Sequence, residues 1–249
     1  MNLAQLRRTV GERTPSSLKP VLRRVRANVG LDRVRRRPRW GNLRRARPFS
    51  ERWGYDRGTS IDRNYINPFI AAQRACITGH VLEVKEDLYA TSCGHDIERV
   101  EILDVNSRNL GATLVADLGE AGSIPENMYD CAIVTQTLQY IPAVDVAMAN
   151  LWRSLKPGGH LLVTVPCAAK CESTLRDGES WRFLPAGLEH LIEQACDPAP
   201  SSFTIQTYGN LTVTIASLLG LAAEELRPAE LERVDADYPL ILTLIATKP

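Results

Sequence analysis

Three acidic residues lie in or directly after short apolar runs, where a carboxylate can bind the polar groups of a ligand. Glu83 lies in the run Val81–Val84, and Asp104 and Asp117 each follow a similar run directly. An ionised carboxylate accepts two hydroxyl hydrogen bonds at once, and such charge-assisted bonds are among the stronger ones. Because ligands of an open parallel sheet bind outside the carboxyl ends of its strands, we expect these acids to line one binding edge.

Two longer apolar runs, Tyr129–Thr135 and Leu161–Val165, flank a stretch with helical periodicity. Unbroken apolarity predicts strands that are covered on both faces, as in a parallel sheet. Pro157 forbids continuation of the helix, and polar Asn150 is expected to point away from its apolar face. That face repeats at i, i+4, i+7 and i+11, with Val144, Met148, Leu151 and Leu155. The sequence therefore predicts a βαβ unit and an α/β core.

The residues of this unit resemble class I S-adenosylmethionine-dependent methyltransferases. Asp130 opens the first strand, Leu138 follows it, and Arg153–Gly159, with a Leu-Lys-Pro-Gly-Gly turn, precedes the second. The resemblance extends over residues 57–249 and implies a Rossmann-like, seven-stranded, mostly parallel sheet with helices on both faces. The late apolar runs Phe203–Thr207 and Leu240–Ala246 suit the antiparallel pair that the resemblance places at one edge of this sheet.

The resemblance also implies S-adenosyl-L-methionine as the cofactor. Asp104 corresponds to the ribose-binding acid, Asp117 to the acid that takes the adenine amine, and Glu83 to the partner of the methionine amino group. For each aspartate the alternative is that it caps the turn that follows it. The full set of residues predicted to bind the cofactor is Glu83, Val84, Lys85, Asp104, Val105, Asp117, Leu118, Thr135, Gln136 and Tyr65.

The loop after the first strand departs from the family pattern. Family members continue Glu/Asp-x-Gly-x-Gly-x-Gly, because a glycine backbone approaches the cofactor closely and adopts conformations that a side chain forbids. This chain reads Glu83-Val84-Lys85-Glu86-Asp87-Leu88-Tyr89, with Lys85 in the first glycine position and no glycine before Gly94. The departure raises the alternative of a methyltransferase-like module without catalysis.

The segment before the predicted domain carries a second resemblance. Arg57–Ile66 is similar to a stretch of the methyltransferase-like modules that accompany glycosyltransferases in bacterial surface-sugar pathways. This similarity implies that Asp62, Arg63 and Tyr65 face the ligand, whereas a linker held by salt bridges explains them equally well. Asn67-Pro68 then predicts the start of a helix, with the asparagine as N-cap and the proline at the first helical position.

The charge is divided unevenly along the 249 residues. Residues 1–57 carry 17 Lys and Arg against four Asp and Glu, whereas the remainder carries 13 against 25. We expect a flexible basic arm at 1–50, a linker or lid at 51–66 and a methyltransferase-like domain at 67–249. The arm is expected to dock on its own acidic domain, or to contact an anionic surface or a glycosyltransferase. The arginines are not interleaved with stacking aromatics, which disfavours nucleic acid.

The remaining composition bounds the class of protein. No apolar run approaches the length of a membrane span, the N-terminus lacks the apolar segment of a signal peptide, and six cysteines lie singly. We expect a cytoplasmic methyltransferase that acts on an oxygen of a sugar or other small metabolite. The alternative is an inactive scaffold or partner module in surface-glycan assembly. No metal site is predicted, and His95, His160, Asp177 and His190 form no diagnostic constellation for a general base.

Overall fold

The computed structural model describes residues 41–172 and 178–249. The chain divides into two compact units, residues 1–46 and residues 47–249. In the smaller unit, Gly41–Arg44 forms a single 3-10 turn. The expectation of a flexible basic arm falls mainly on residues 1–40, which lie outside the described residues. The segment 51–66, expected to be a linker or lid, is part of the larger unit.

The larger unit contains a seven-stranded sheet with the order β3-β2-β1-β4-β5-β7-β6. The first five strands pair in parallel, and β7 is antiparallel to both β5 and β6. This architecture confirms the predicted Rossmann-like α/β fold. The strands are β1 (Gly79–Val84), β2 (Ile97–Asp104), β3 (Leu114–Val115), β4 (Tyr129–Thr135), β5 (Leu155–Pro166), β6 (Ser202–Tyr208) and β7 (Ile241–Thr247).

Six α-helices accompany the sheet among the described residues, with short 3-10 turns between some of them. The helices pack on both faces of the sheet, and each face has its own apolar core. The helices are α1 (Arg63–Ala72), α2 (Leu88–Cys93), α3 (Val144–Ser154), α4 (Pro185–Ala195), α5 (Leu211–Leu218) and α6 (Pro228–Glu232).

Alternation along β4 shows how the two cores arise from one apolar run. Ala132 and Val134 belong to the core beneath α3 and α4, whereas Cys131 and Ile133 belong to the core beneath α1, α2 and α5. All four side chains are fully buried. Because successive side chains of a strand point to opposite faces, a central strand that is covered on both sides must be apolar throughout.

Helix α1 begins earlier than the sequence indicated. Asp62, rather than Asn67, is the N-cap, and its side chain accepts a hydrogen bond from the backbone N–H of Arg63 at 2.8 Å. Pro68 lies inside the helix at an exposed position. The expectation that Asn67-Pro68 starts the helix was therefore wrong. The helix includes residues before Asn67 because its buried face, which contains Tyr65 and Phe69, packs in the core from the first turn onwards.

The turn that carried the family resemblance also joins neighbouring parts of the sheet. Asp130 at the start of β4 accepts hydrogen bonds from Lys156 Nζ at 2.7 Å and from the backbone N–H of His80 at 2.8 Å. Gly158 has a φ of +79°, which a side chain would strain. The segment thus ties β1, β4 and β5 together at the end of the sheet where β4 begins. These residues identify the fold and lie away from the cavity described next.

Within the described residues, no helix is both long enough and apolar enough to cross a membrane.

Candidate functional site

A cavity of about 890 Å³ opens along the carboxyl ends of the parallel strands. It spans the point between β1 and β4 where the strand order reverses, which is where open α/β sheets bind ligands. Nine of the ten residues predicted to bind a cofactor line it: Glu83, Val84, Lys85, Asp104, Val105, Asp117, Leu118, Thr135 and Gln136. The sheet therefore brings together residues that are separated by up to about fifty positions in the chain.

Tyr65 is the predicted site residue that does not line this cavity. Its ring is buried in the core beneath α1, it contacts Tyr208, and its hydroxyl donates to the carbonyl of Leu231 at 2.8 Å. Asp62 and Arg63, at the start of the same helix, do line the cavity. The turn of the helix therefore directs Tyr65 away from the cavity, towards the core. Of the three residues that the second resemblance placed at the ligand, the structure brings two to the cavity.

Asp104 is held at the end of β2 by two hydrogen bonds. Its Oδ1 accepts the backbone N–H of Asn106, and its Oδ2 accepts Nδ2 of Asn109, each at 2.8 Å. The same Asn109 nitrogen donates to the carbonyl of Lys85 at 2.8 Å, so it joins the loops after β1 and β2. Asp104 thus caps its turn, and the unfilled lone pairs of its carboxylate can still accept hydroxyl groups.

Asp117 and Leu118 follow β3 in a loop with the same kind of turn. Asp117 Oδ1 accepts the N–H of Gly119 at 2.7 Å, while Leu118 is buried against the core. The loop is anchored by Asn150 of α3, whose Nδ2 donates to the carbonyls of Leu118 at 2.9 Å and Glu120 at 2.7 Å. Asn150 is 2% exposed, so the expectation that it points away from the buried face was wrong.

Glu83 has a different environment, because its carboxylate binds the start of α2. Oε1 accepts the N–H of Tyr89 at 2.9 Å, and Oε2 accepts the N–H of Ala90 at 2.7 Å. The residue is 3% exposed, and this burial raises the pKa of its carboxyl to about 7, against the lowering effect of the two backbone hydrogen bonds. The sequence did not predict helix α2. Its first turn is capped by the Glu83 side chain of β1 and not by the residue that directly precedes the helix.

Lys85 adopts the backbone conformation that glycine would favour. Its φ is +77°, in the left-handed region, and its N–H donates to the carbonyl of Leu103 at 2.8 Å. A non-glycine residue in this region costs about 1–2 kcal/mol. Lys85, in the first glycine position of the family loop, thus holds a backbone conformation that favours glycine.

Tyr89, in the third glycine position, is buried and contacts an arginine of α1. Arg63 donates from Nη1 to the Tyr89 hydroxyl at 2.6 Å and from Nε to the Tyr55 hydroxyl at 3.1 Å. The Tyr89 hydroxyl in turn donates to Oδ1 of Asn67 at 2.9 Å. All three members of this arginine–tyrosine group, Arg63, Tyr55 and Tyr89, line the cavity.

The turn after β4 brings two amide side chains to the cavity. Gln136 has a φ of +48°, and its carbonyl accepts Nε2 of Gln139 at 2.9 Å. Nε2 of Gln136 and Oε1 of Gln139 are buried without a hydrogen-bond partner among the described residues. One orphan donor and one orphan acceptor therefore lie beside each other at the end of β4, in a wall that also includes Tyr140.

A segment after β5 packs over this turn. The N–H of Ser180 donates to the carbonyl of Gln139 at 2.7 Å, and Trp181 Nε1 donates to the carbonyl of Ile141 at 2.9 Å. Glu172 and Glu179 line the cavity from this segment, whereas His95, His160 and His190 do not. Asp177, the fourth candidate base, lies outside the described residues.

The described part of the chain contains no group of three or more His, Cys, Asp or Glu residues that could hold a metal ion.

Part of this chain is similar to known proteins. A family model described as a methyltransferase domain matches residues 73–163. The ubiquinone/menaquinone biosynthesis C-methyltransferase UbiE of Saccharophagus degradans is 31% identical over 116 residues, which are 40% of this chain and 46% of that protein. The same enzyme of Edwardsiella ictaluri is 30% identical over 121 residues, covering 40% and 48%. The chain thus spans about half the length of the curated relatives it matches.

Solved structures share the fold at low identity. Phosphoethanolamine N-methyltransferase 2 of Haemonchus contortus, solved in complex with S-adenosyl-L-methionine, is 14% identical with a TM-score of 0.50, and the match covers 74% of this chain and 52% of that one. A chain of the complex between the Haloferax volcanii Trm112 methyltransferase activator and a methyltransferase is 17% identical with a TM-score of 0.50, covering 82% and 100%. The family match supports the resemblance predicted from the sequence over residues 73–163, which are similar to a methyltransferase domain. The solved structures share the fold of this chain.

Proposed function

We propose that this chain is an S-adenosylmethionine-dependent methyltransferase and that the cavity at the strand ends binds the cofactor. The observation that carries the proposal is the convergence of Asp104, Asp117 and Glu83 on one cavity at the switch in strand order. Asp104 would accept the ribose hydroxyls, and Asp117 would accept the adenine amine while Leu118 packs against the ring. The amino group of the methionine moiety would lie towards Glu83.

The bound cofactor supplies an activated methyl group on a sulfonium, and the chain's own residues position its acceptor. Methyl transfer needs in-line alignment and, for a hydroxyl acceptor, a group that takes the proton. The turn Thr135–Tyr140 and the segment after β5 form the cavity wall beyond the acids. Glu172 and Glu179 in that wall are the carboxylates we propose as proton acceptors, either directly or through water.

For the acceptor we propose an oxygen of a sugar or other small metabolite. A hydroxyl group both donates and accepts, which matches the orphan donor of Gln136 and the orphan acceptor of Gln139. The similarity of Arg57–Ile66 to glycosyltransferase-associated modules supports a role in glycan biosynthesis. In this proposal the Arg-rich residues 1–50 contact a glycosyltransferase or an anionic surface. The six free thiols support action in the cytoplasm.

A second acceptor class is favoured by the curated relatives, which are named as C-methyltransferases. Transfer to carbon would use the same cofactor site and a different acceptor wall. The inactive partner module is a separate alternative, and it is favoured by the glycine-free loop from Val84 to Tyr89.

Radiolabel transfer tests the proposed activity. The full chain is incubated with S-adenosylmethionine that carries a tritiated methyl group, together with nucleotide sugars, free sugars, quinols or a cell extract. Transfer that is lost in Asp104→Ala supports the enzyme, and carbon NMR of the product distinguishes an O-methyl from a C-methyl group. Cofactor binding without transfer to any acceptor would favour the inactive module. Failure to bind the cofactor would contradict the proposal.

A further inference from the structure

The arginine–tyrosine group places a cation in the cavity wall, and this cation forms no salt bridge with the described residues. Arg63 is half-buried, and its two described side-chain contacts are the hydroxyls of Tyr55 and Tyr89. Among the described residues, no carboxylate oxygen lies within 4.0 Å of its guanidinium. A guanidinium has five N–H donors, of which these contacts use two. Three donors therefore remain for a ligand.

The position of Tyr89 assigns this cation to one end of the cavity. Its hydroxyl accepts from Arg63, while its backbone N–H binds Glu83 at the end of β1. The arginine thus lies beside the loop that stands in place of the glycine loop. Asp104 and Asp117 follow the neighbouring strands β2 and β3, on the other side of β1 from β4.

Two N–H groups in the first turn of α2 are already bound and are not available to an anion. The N–H groups of Tyr89 and Ala90 at the start of α2 are both bound to Glu83. In its ionised form, the buried Glu83 carboxylate also opposes a second negative charge nearby. An anionic ligand group at this end therefore needs another source of positive charge, and Arg63 provides one.

We propose that Arg63, held in place by Tyr55 and Tyr89, binds the carboxylate of the cofactor's methionine moiety. The inference rests on the proposed function and names the residue that replaces the backbone contacts of the glycine loop. A planar guanidinium pairs with a carboxylate through two parallel hydrogen bonds, and such charge-assisted pairs are strong. Tyr89 is a positioning residue, because it orients Arg63 and has its own hydroxyl oriented by Asn67.

Two ligands that differ only at the amino-acid end distinguish binding of the methionine carboxylate from a general effect of Arg63 on ligand binding. S-adenosylhomocysteine carries the carboxylate, whereas 5′-methylthioadenosine keeps the adenine and ribose and lacks the amino-acid end. Calorimetric titration of the full chain with each ligand measures the contribution of that end. Arg63→Gln is expected to weaken S-adenosylhomocysteine binding about 10- to 100-fold and to leave methylthioadenosine within about twofold. Arg63→Lys should recover part of the loss.

Arg108→Gln is the matched control, since Arg108 is exposed and does not line the cavity. If Arg63→Gln does not fold, Tyr89→Phe removes one hydrogen bond of the arginine and should weaken S-adenosylhomocysteine alone, about two- to fivefold.

Equal loss for both ligands, or no loss for either, would overturn the assignment of Arg63 while leaving the proposed function intact. Unchanged affinity for S-adenosylhomocysteine together with a raised KM for an anionic acceptor would overturn it too. A wild-type chain that binds neither ligand would instead contradict the proposed function.

Discussion

The two sides of the cavity hold their acidic residues in different ways. After β2 and β3, the acids lie in short turns that asparagines hold in place: Asn109 binds Asp104, and Asn150 binds the loop of Asp117. After β1, Glu83 binds the start of a helix and Arg63 approaches from α1. The first side presents carboxylates to a ligand, whereas the second side has buried its carboxylate and presents a guanidinium.

Burial, rather than the number of hydrogen bonds, distinguishes the two carboxylates. Asp104 and Glu83 each accept two hydrogen bonds, but Asp104 remains partly exposed whereas Glu83 is 3% exposed. A partly exposed carboxylate keeps more of its oxygen lone pairs within reach of a ligand than a buried carboxylate does. How much of a strand-end carboxylate a ligand can reach therefore depends on its burial, and for Glu83 that burial accompanies the helix that follows.

The largest expected effect tests the binding side. Asp104→Ala removes the proposed acceptor of the two ribose hydroxyls, and hydrogen bonds to a charged group contribute about 1.5–3 kcal/mol each. We expect S-adenosylmethionine to bind about 100-fold more weakly or worse in calorimetry. Asp145→Ala, at an exposed position of α3 outside the cavity, is the control. Equal affinity in the two variants would mean that Asp104 only caps its turn.

The second prediction concerns the asparagine that supports this side. Asn150→Ala leaves the carbonyls of Leu118 and Glu120 without their buried donor, and an unsatisfied group costs about 1–3 kcal/mol. The free energy of unfolding is expected to fall by about 2 kcal/mol in urea titration. Asn64→Ala in α1 is the control. A loss no larger than that of the control would show that the loop does not depend on Asn150.

The third prediction concerns the buried carboxylate. Burial raises the pKa of Glu83 to about 7 from the usual 4.5, so the folded chain keeps a proton that the unfolded chain has released between these values. The stabilisation is complete below about pH 4.5 and is lost as the pH rises from there through about 7, at up to about 1.4 kcal/mol per pH unit.

Glu83→Gln should flatten this part of the profile in denaturant titrations between pH 5 and pH 7. Glu98→Gln, at an exposed position of β2, should keep the wild-type slope. A Glu83→Gln profile parallel to that of the wild type would show that Glu83 titrates in its ordinary range.

The smallest expected effect concerns Lys85 in the loop after β1. Lys85→Gly removes the strain of a φ of +77°, whereas Lys85→Ala keeps it. The strain that glycine relieves is larger than the cost of its greater backbone entropy in the unfolded chain. Lys85→Gly should therefore be about 1 kcal/mol more stable than Lys85→Ala. A less stable glycine variant in thermal or urea unfolding would mean that the loop does not hold Lys85 in this conformation.

The parts of the fold that the sequence predicted depend on local patterns. The unit β4–α3–β5 follows from apolar runs, helical periodicity and Pro157, and the strand-end acids follow from the ends of those runs. Nine of ten predicted site residues line the cavity because parallel strands bring their carboxyl ends to one edge.

The parts that were missed depend on contacts between distant segments. Helix α2 is capped by a side chain of β1, and the start of α1 is extended by a buried face. Asn150 is buried because its partners lie about thirty residues away in the chain. No local spacing distinguishes such an asparagine from one that faces solvent.

A crystal structure of the full chain with S-adenosylhomocysteine tests the central claim most directly. We expect electron density for the ribose against the carboxylate of Asp104, for the adenine beside Asp117 and Leu118, and for the methionine carboxylate on Arg63. An empty cavity at saturating ligand, or density that does not contact Asp104, would contradict it.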